Sequence, residues 1–369
     1  MKQSSDRKPS APPRNVDEHD VIFARMKMKP GTSDWEEYYS THPEQSASDA
    51  RARALPGLLS ERATNFHPLN FPAADANFDL IEYLQKAVNH PVSDKTSDLT
   101  DEVLTHYIKG WTRYLGTHST GITELFDYHL YTRRGRGVDK GKPIVKRHKY
   151  AIAFTVEMDY ENVQSAPGSA AIFESSQQYL RSANIALQLT IFLKKLGYDS
   201  RAHIDGDYEV ICPLVARDAG LGEIGRMGLL MTPLVGPRVR IAVVTTSAPL
   251  VPDPYRPDPN MIEFCRVCKK CAVCCPGNSI PAGDMQEIDG MLRWKIDSDS
   301  CYRYWCTIGT DCGRCMAVCP FSHSNNLFHN TIRFLIRQSR LFARMVYHAD
   351  ELFYGRKPVP KETPYWMRE

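Results

Sequence analysis

The feature that most constrains this 369-residue chain is a block of cysteines near its C-terminal end. Ten of its eleven cysteines lie between positions 265 and 319, and the stretch "CRVCKKCAVCCPG" at 265–277 places five of them within thirteen positions. Local clustering of this kind argues against a disulfide framework and favours a metal site. A chain of this length can also bury enough apolar surface to fold without disulfides. The block therefore predicts a metal-binding domain within a larger protein.

The spacing of the first cysteines indicates which metal group they bind. The run C-x2-C-x2-C-x3-C-P is formed, in order, by Cys265, Cys268, Cys271, Cys275 and Pro276. Bacterial ferredoxins with two [4Fe-4S] clusters use this run, and its first three thiolates hold one cluster while the fourth reaches the other. Structural zinc sites instead bring two C-x2-C pairs a dozen or more residues apart. Iron and sulfur are therefore favoured over zinc.

A second block repeats the end of that pattern but lacks its first cysteine. It reads C-x2-C-x3-C-P, from Cys312 to Pro320, and Gly309 stands where the opening cysteine is expected. Either Cys301 or Cys306 must supply the missing ligand, and Cys301 is our working assignment. Cys319 is expected to join the first three cysteines of the first block. The predicted ligands are Cys265, Cys268, Cys271, Cys275, Cys301, Cys312, Cys315 and Cys319.

Two cysteines are expected not to bind metal. Cys274 is adjacent to a ligand position and falls outside the pattern, and Cys212 lies far from the block and is expected to be a buried apolar thiol. Some 250 residues precede the cysteine block, many more than a ferredoxin needs. Electrons are therefore expected to pass between the clusters and a redox centre in that larger domain.

Composition narrows the remaining classes of function. The chain has 46 Lys and Arg against 43 Asp and Glu, a formal charge of +3, which is too balanced to argue for nucleic acid. It has no apolar run long enough to cross a membrane. The first fifteen residues, "MKQSSDRKPSAPPRN", lack the apolar core of a secretory signal and a twin-arginine pair, so they predict a disordered lead-in on a cytoplasmic protein.

Periodicity predicts helices and strands before the cysteine block. Apolar spacings of three and four indicate helices from about 76 and over 99–115. A further helix is expected over 175–196, with Ser175 and Gln178 as a capping box and Gly197 after its last turn. Strands are expected near 150–158 and 239–246. The segment before that helix, "NVQSAPGSA", is expected to be flexible.

Two further segments allow more than one interpretation. The basic segment 132–149 has eight Lys or Arg and is expected to be an exposed loop, with a border to a ligand phosphate as the alternative. The sequence "GLGEIG" at 220–225 matches G-x-G-x-x-G, but it follows no strand and precedes no suitable helix. A nicotinamide site is therefore disfavoured.

Several segments together resemble one enzyme family, the corrinoid- and iron–sulfur-dependent reductive dehalogenases. They run from "IFARMKMKPGTSDWEEYYSTHPE" through "KYAIAFTVEMDY", "AGLGEIGRMGLLMTPLVGPRVR", "FCRVCKKCAVCCP", "WKIDSDSCYRYW" and "TDCGRCMAVCPFSHSNN" to "ELFYGRKPVPKETPYWM". The glycine-rich and cysteine segments also occur in a related family, the epoxyqueuosine reductases. The resemblance covers most of the chain.

The resemblance implies an α+β fold with two principal domains. A nitroreductase-like α/β domain would bind cobalamin in its base-off form, and a bacterial ferredoxin-like domain would carry two [4Fe-4S] clusters. We expect an extended N-terminal arm at 1–60, the cobalamin domain at 61–258, the cluster domain at 259–325 and a helical tail at 326–369. The sequence agrees with base-off binding in one respect, because it lacks the motif D-x-H-x-x-G: "DYHLYT" has Thr132 in place of glycine, and His203 lacks the preceding Asp.

The resemblance also implies site residues. Tyr179 corresponds to the proton donor, and Arg240, or Arg238 if the loop is shifted, corresponds to the basic side chain that favours its anion. Gly222, Gly225 and Arg238 are expected to contact the cofactor. Many family members have a Gly-Asn pair where this chain reads "HIDGDYE", so the polar residue of the pocket is expected to be Asp205 or Asp207, or to be absent.

The implied activity is the replacement of halogen by hydrogen on a small organohalide. Its electrons would come from reduced ferredoxin or flavodoxin, or from a membrane-anchored donor, and no nucleic acid is expected to bind. An epoxyqueuosine-reductase-like corrinoid enzyme and a non-catalytic electron-transfer protein are the alternatives. Respiratory members carry a twin-arginine signal, so we expect either a cytoplasmic member, with membrane association as an alternative, or a sequence without its leader.

Overall fold

The structure is a computed structural model that describes residues 16–137, 139–288 and 290–368. The lead-in predicted over residues 1–15 lies outside the described residues. The strands are β1 (Ser119–Glu124), β2 (Tyr150–Glu157), β3 (Ser200–His203), β4 (Glu223–Ile224), β5 (Leu230–Met231), β6 (Val239–Thr246), β7 (Gln286–Ile288) and β8 (Met291–Arg293). The helices before the cysteine block are α1 (Ile22–Lys27), α2 (Ser33–Thr41), α3 (Pro43–Arg53), α4 (Asn70–Gln85), α5 (Asp101–Tyr114), α6 (Tyr160–Gln164), α7 (Ser169–Lys195) and α8 (Cys212–Asp218). Those within and after it are α9 (Pro259–Cys268), α10 (Lys270–Val273), α11 (Ser298–Ile308), α12 (Arg314–Ala317), α13 (Leu327–Gln338) and α14 (Arg340–Tyr354).

A four-stranded sheet organises the larger part of the chain. Its strand order is β1-β2-β6-β3, and each neighbouring pair is antiparallel. β2 and β6 pair along their full length, from Tyr150 opposite Thr246 to Glu157 opposite Val239. The strands predicted near 150–158 and 239–246 are confirmed. The mixture of antiparallel sheet and helices also confirms the predicted α+β class.

The two faces of β2 pack against different helices. Ile152, Phe154 and Val156 alternate along the strand and belong to the core that includes α5 and α7. Ala151 and Ala153 point to the opposite face and pack in the core that includes α8. Both faces of the strand are therefore buried, and the small side chains lie on the face covered by the short helix α8.

The long helix α7 begins earlier than predicted. It starts at Ser169, so the capping-box prediction at Ser175 was wrong, and α6 occupies part of the segment expected to be flexible. Ser175 is buried inside α7, where its hydroxyl oxygen accepts a hydrogen bond from Arg240. A tertiary contact therefore uses the side chain that suggested a cap. Gly197 follows the last turn with φ +86°, as expected for a helix C-terminus.

The N-terminal arm is helical in its described part, so the expectation of an extended arm was wrong. α1, α2 and α3 account for most of residues 22–53. Arg25 is buried, and its Nε lies 2.9 Å from Asp49 Oδ2 while its Nη2 lies 2.6 Å from Asp299 Oδ1. Asp299 belongs to α11, so this ion pair fixes the arm to the cluster-bearing part of the chain.

The basic segment 132–149 is not uniformly exposed, contrary to the sequence-based expectation. Arg134 is buried and forms ion pairs with Asp207 and Glu209. Arg136 pairs with the buried Glu18 at 2.9 Å. These two arginines point inward because fully buried or nearly buried carboxylates compensate their charge.

The C-terminal part consists of short helices followed by two longer ones. α13 and α14 pack against each other and against α9. The ammonium of Lys270, on α10, is buried and donates a hydrogen bond to Asp350 on α14. Among the described helices, none combines the length and the apolar character needed to cross a membrane.

Candidate cluster and catalytic sites

Four cysteine thiols line a small cavity in the C-terminal part of the chain, and we call them the first thiol set: Cys265, Cys268, Cys271 and Cys319. Two of them lie on α9, one lies on α10, and Cys319 follows α12. Lys269 separates α9 from α10 and has φ +56°. This left-handed residue ends one helix and allows the next to begin at once, so three thiols of a short run face the same cavity.

The pKa values of these thiols show that they influence one another. Burial raises the pKa of Cys319, and negative charge at the other three thiols raises it further. Burial likewise raises the pKa of Cys268 to about 12. A buried thiol with a raised pKa gives up its proton only when a positive centre compensates the thiolate. The first thiol set is therefore suited to a bound metal group.

A second thiol set comprises Cys275, Cys301, Cys312 and Cys315. Burial raises the pKa of Cys301 to about 11, and negative charge at Cys275 is the next largest cause of the rise. Burial raises the pKa of Cys312 to about 12, with contributions from Cys301 and Cys275. The pKa of Cys315 is raised by burial and by Cys312, Cys271, Cys301 and Cys275. Because Cys271 belongs to the first set, the two sets are neighbours.

The two candidates for the missing ligand lie differently on α11. The charge of Cys301 interacts with the charges of the other thiols of the second set. The pKa of Cys306, in contrast, is raised by burial and lowered by a hydrogen bond with Tyr302. Five residues along a helix correspond to a rotation of roughly 140°, so the two thiols leave α11 on different sides. The structure thus brings Cys301, rather than Cys306, to the second set.

The remaining two cysteines have other surroundings. Cys274 donates to the carbonyl oxygen of Arg356 at 3.6 Å. Cys212 is buried, and burial raises the pKa of its thiol to about 12. Across the described ranges, no three His, Cys, Asp or Glu side chains form a group that could hold a single metal ion.

Tyr179 and Arg240, which the resemblance predicts to be catalytic and which we call the catalytic pair, lie against each other. Tyr179 is on α7 and Arg240 is on β6, and the guanidinium carbon lies 4.7 Å from the centre of the phenol ring. Ser175 is one helical turn before Tyr179, on the same side of α7, and it accepts a hydrogen bond from Arg240. Asp311 Oδ2 accepts from Arg240 Nη2 at 2.8 Å. The guanidinium is therefore held on three sides.

Burial and the charge of Arg240 change the pKa of Tyr179 in opposite directions. Burial raises the pKa of its hydroxyl, and Arg240 opposes that rise because a cation favours the phenolate. The net pKa is raised because burial outweighs the arginine, whose effect has the expected direction. Tyr179 is thus a neutral phenol at neutral pH. Burial lowers the pKa of Arg240, but Tyr179 in its phenolate form and Asp311 outweigh burial, so the pKa of Arg240 is raised.

A second group of polar side chains surrounds the catalytic pair. Burial raises the pKa of Tyr208, and Asp205 and Tyr179 raise it further while Arg136 opposes them. Arg136 lies with its guanidinium carbon 5.5 Å from the Tyr208 ring centre. Of the two aspartates left open by the sequence, Asp207 is engaged by Arg201 at 2.7 Å and by Arg134. Asp205 is the aspartate whose negative charge raises the pKa of Tyr179.

A cavity of about 1550 Å³ lies between the arm, α8 and the β7–β8 hairpin. Small-molecule sites usually measure about 300–1,000 Å³, so this one can take a larger ligand. Tyr179 and Arg240 do not line it. Arg136 connects the two places, since its guanidinium carbon lies 5.9 Å from the ring of Phe23, which lines the cavity, and near Tyr208. The side chains facing the cavity include Phe23, Tyr128, Tyr131, Leu214, Arg217 and Tyr255.

Comparisons with known proteins identify homologues of the chain. A 4Fe-4S dicluster domain family matches residues 264–323. The tetrachloroethene reductive dehalogenase of Sulfurospirillum multivorans is 31% identical over 298 residues, covering 70% of this chain and 59% of that protein. A tetrachloroethene reductive dehalogenase of Desulfitobacterium hafniense is 35% identical over 222 residues, covering 57% of this chain and 40% of that protein. The solved structure of the catabolic reductive dehalogenase NpRdhA in complex with 3-bromo-4-hydroxybenzoic acid superposes with a TM-score of 0.73 at 27% identity, covering 95% of this chain and 50% of that chain.

The chain is homologous to reductive dehalogenases over most of its length. This confirms the resemblance inferred from the sequence segments. It spans 59% of the Sulfurospirillum relative and 50% of the NpRdhA chain, so it corresponds to about half of the relatives it matches. An epoxyqueuosine reductase of Staphylococcus aureus is a more distant match, at 26% identity over 168 residues and 40% of this chain.

The residues expected to contact the reductive dehalogenase cofactor have protein neighbours in the structure. A side chain at Gly222 would lie 2.2 Å from the carbonyl oxygen of Met231, and one at Gly225 would meet the Met231 side chain at 2.7 Å. Arg238 is buried and donates to the carbonyl oxygens of Ser322, at 3.1 Å, and Met158. None of the three lines the large cavity, whereas Gly228 of the same glycine-rich segment does. Their role toward a cofactor stays a prediction.

Sequence reasoning missed four residues around the catalytic pair: Ser175, Tyr208, Arg136 and Asp311. The sequence pattern predicts a helix cap at Ser175 and an exposed loop around Arg136. Asp311 immediately precedes the ligand candidate Cys312, which is the one local signal that could have drawn attention to it. Tyr208 gives no signal in the sequence, because its position depends on how the chain after β3 folds back.

Proposed function

We propose that this chain is a reductive dehalogenase that replaces halogen by hydrogen on a small organohalide. Homology to reductive dehalogenases supports the reaction class. The observation that carries the proposal is the catalytic pair held by Asp311, one residue before a cysteine of the second thiol set. Asp311 thereby links the candidate proton donor, through Arg240, to the candidate electron carriers.

The two thiol sets are proposed to hold one [4Fe-4S] cluster each. Such clusters are held by four cysteine thiolates, and each set offers four. The chemistry of the donors fits, because iron supplies the positive charge that buried thiols with raised pKa values need before they ionise. Burial and hydrogen bonds around the thiols would then set the potentials of the clusters. A single zinc ion binds four ligands, so it would leave the four thiols of one of the two sets without a metal.

The cofactor of the larger domain is proposed to be cobalamin in its base-off form. A solved reductive dehalogenase structure that suggests a mechanism for B12-dependent dehalogenation matches with a TM-score of 0.72 at 27% identity and covers 94% of this chain. The large cavity fits a ligand of that size, and aromatic and aliphatic side chains such as Phe23, Tyr131 and Leu214 line it. When bound, a reduced corrinoid supplies a two-electron centre for breaking a carbon–halogen bond.

The residues of this chain are proposed to handle the proton. Overall, the organohalide takes up two electrons and one proton, the carbon–halogen bond breaks, a carbon–hydrogen bond forms and halide leaves. The O–H bond of Tyr179 breaks as its proton moves to carbon. Because burial keeps the phenol neutral before this step, the proton is present when needed. Arg240, 4.7 Å from the ring centre, then stabilises the phenolate until it is protonated again.

The substrate and the electron donor follow from the same proposal. The substrate is a small organohalide, and the near-neutral charge of the chain agrees with the expectation that nucleic acid is not a partner. Reduced ferredoxin or flavodoxin, or a membrane-anchored donor, would supply electrons to the clusters. A cytoplasmic location, with membrane association as the alternative, stays a prediction.

Release of halide tests the proposed function. The protein, purified and reduced without oxygen in the presence of cobalamin, is expected to release halide from one or more members of a panel of halogenated phenols and alkenes. The variant Tyr179→Phe removes only the hydroxyl and should lower the rate by about 10²–10⁴-fold, the usual contribution of a general acid. Ion chromatography measures the halide.

A matched control keeps the result interpretable. Tyr83→Phe makes the same chemical change at an exposed tyrosine on α4 and should leave the rate unchanged. Iron and cobalt contents must be equal in the three proteins. Absence of halide release in a fully loaded wild-type protein, or equal rates in Tyr179→Phe and wild type, would contradict the proposal.

A further inference from the structure

Two buried arginines near the first thiol set have no carboxylate partner. The side chain of Arg226 is 0% exposed and that of Arg333 is 2% exposed. Lys270, a third buried cation of this region, is paired with Asp350, but no carboxylate of the described residues forms an ion pair with either arginine. Burial removes the water that stabilises a charge, so a buried cation needs a negative group nearby.

Main-chain carbonyl groups hold Arg226 in place. Its Nε donates to the carbonyl oxygen of Cys265 at 3.0 Å, and its Nη1 donates to those of Pro281 and Gly283, each at 2.7 Å. The guanidinium carbon lies 4.5 Å from the centre of the Trp294 ring. Neutral carbonyl groups satisfy the hydrogen-bond donors of the guanidinium but do not cancel its positive charge. That charge therefore stays available to a neighbouring anion.

The anion that Arg226 faces is the first thiol set. Arg226 lines the same small cavity as the four thiols. Burial lowers the pKa of Arg226, and negative charge at Cys271 and Cys265 is the largest influence that opposes this lowering. Asp284 contributes less than these two thiols, and its side chain is 81% exposed, so solvent screens its charge. Once ionised by a bound metal group, the thiols are thus the main counter-charge of Arg226.

Arg333 approaches the first thiol set from the side of Cys319. Its Nη1 donates to the carbonyl oxygens of Phe321 and His323, at 3.2 and 3.0 Å. Its Nε has no hydrogen-bond partner within the part of the chain that the structure describes. Burial and the neighbouring Arg238 lower the pKa of Arg333 to about 10, and negative charge at Cys319 is the largest influence in the opposite direction. Two guanidinium groups therefore flank the first thiol set.

The second thiol set has a buried negative neighbour instead. Burial is the largest cause that raises the pKa values of Cys301 and Cys312, and the charge of Asp311 adds to the rise. Arg240 pairs with Asp311 and offsets part of its charge. Arg314 follows Cys312 by two residues, but it is partly exposed, so solvent screens it. The two sets therefore differ in the buried charges beside them.

We propose that Arg226 and Arg333 compensate the negative charge of the cluster held by the first thiol set and thereby make that cluster easier to reduce. Four thiolates outweigh the positive charge of an iron–sulfur core, and reduction adds one electron from the donor to a group that is already negative. A cation in the same low-dielectric interior stabilises the reduced form more than the oxidised form, which raises the reduction potential. The two arginines are positioning residues that act through the cluster. The inference rests on the clusters of the proposed function but not on its substrate.

Potentiometric titration of the full chain, loaded with iron and sulfide, tests this inference in the absence of substrate and of added cobalamin. Dithionite reduces the protein stepwise without oxygen, and electron paramagnetic resonance measures the reduced clusters. Arg226→Gln removes the charge but keeps a hydrogen-bond donor, so one of the two reduction steps should move to more negative potential. A unit charge about 10 Å away in a protein interior changes such an equilibrium more than tenfold. The ratio of reduced to oxidised cluster at a fixed potential should therefore fall at least about tenfold, which corresponds to about 59 mV for one electron.

Two further variants separate charge from structure. Arg333→Gln should move the same reduction step in the same direction. Arg226→Lys keeps the positive charge and should keep the potential near that of the wild type. Should a glutamine variant lose iron, Arg226→Lys replaces it: retention of iron and of the wild-type potential supports charge compensation, and loss of either contradicts it.

Arg266→Gln is the matched control. Arg266 lies on α9 between Cys265 and Cys268, but its side chain is 46% exposed and pairs with Glu263 at 3.2 Å. Loss of the same charge there should move the potential much less than Arg226→Gln does, because solvent and Glu263 already offset it.

The contrary results are distinct from a failure of the proposed function. The inference is overturned if the glutamine variants with full iron titrate like the wild type, or if Arg226→Lys or Arg266→Gln moves the potential as far as Arg226→Gln. A wild-type protein that binds clearly fewer than about eight irons would contradict the two clusters themselves. Absence of halide release would leave the titration unaffected.

Discussion

Asp311 has an unusual position among the residues of the candidate site. One of its carboxylate oxygens accepts from Arg240 at 2.8 Å, and the other has no hydrogen-bond partner in the part of the chain that the structure describes. The next residue is Cys312 of the second thiol set. Burial raises the pKa of Asp311 and Arg240 opposes that rise. Asp311 thus holds the arginine against the phenol without touching the phenol, which makes it a positioning residue.

The variant Asp311→Asn should change how Tyr179 responds to pH. The negative charge of Asp311 raises the pKa of Tyr179, so its removal should lower that pKa and move the loss of activity at alkaline pH to lower pH. Asp205, Arg240, Arg136 and Tyr208 also act on Tyr179 and stay in place. The pH profile of halide release measures the shift. A difference titration of tyrosinate absorbance, with Tyr179→Phe as reference, measures it without turnover.

The comparison for this prediction is Ser175→Ala. It removes the other hydrogen bond to Arg240 but changes no charge. Its alkaline limb should therefore move less than that of Asp311→Asn. The positioning role is wrong if Asp311→Asn shifts the profile to higher pH, or if the two variants shift it equally.

Helix α11 decides which cysteine completes the second thiol set. Cys301 leaves the helix toward Cys275 and Cys312, and Cys306 leaves it on another side, where Tyr302 is its neighbour. Cys301→Ser should therefore lose one cluster, with iron falling from about eight to about four per chain, the numbers for two clusters and one. Cys306→Ser should keep about eight irons. Iron analysis and electron paramagnetic resonance of the reduced proteins measure this, and the reverse result would exclude the assignment of Cys301.

Sequence reasoning succeeded for elements whose signals are local. The spacing of Cys265, Cys268 and Cys271 specifies a three-ligand run because neighbouring thiols on one short segment must face one cavity. Alternation near 150–158 and the composition near 239–246 predicted two strands, which the structure pairs with each other. The choice between Cys301 and Cys306 stayed open, since it depends on how α11 rotates against the rest of the domain.

The same reasoning failed where a side chain is used by a distant element. Ser175 fits a capping box, yet it lies inside α7 because β6 brings Arg240 to it. Arg134 and Arg136 belong to a segment whose composition is typical of an exposed loop, but Asp207, Glu209 and Glu18 draw them inward. The arm was expected to be extended, but it is helical. Arg25 holds it in place through Asp49 and through Asp299, which is 274 positions away in the sequence. Contacts between residues so far apart produce no periodic pattern in the sequence.

At the scale of the whole molecule, the two thiol sets and the catalytic pair are neighbours. The first thiol set adjoins the second, since negative charge at Cys271 raises the pKa of Cys315. The second set adjoins the catalytic pair through Asp311 and Cys312. The large cavity is lined by Phe23, which Arg136 contacts, and by Ile262, Glu263 and Arg266 of α9, the helix that carries Cys265 and Cys268. The candidate electron carriers therefore adjoin both the candidate proton donor and the cavity.

The stoichiometry of electrons and halide tests this account most directly. The loaded protein is reduced stoichiometrically with a titrated low-potential donor, and halide and hydrogenated product are measured over a limiting amount of donor. Two electrons should be consumed for each halide released and each carbon–hydrogen bond formed, and deuterium from heavy water should appear at the former carbon–halogen position. Oxidation of the donor without halide, or halide release that consumes no electrons, would contradict the account.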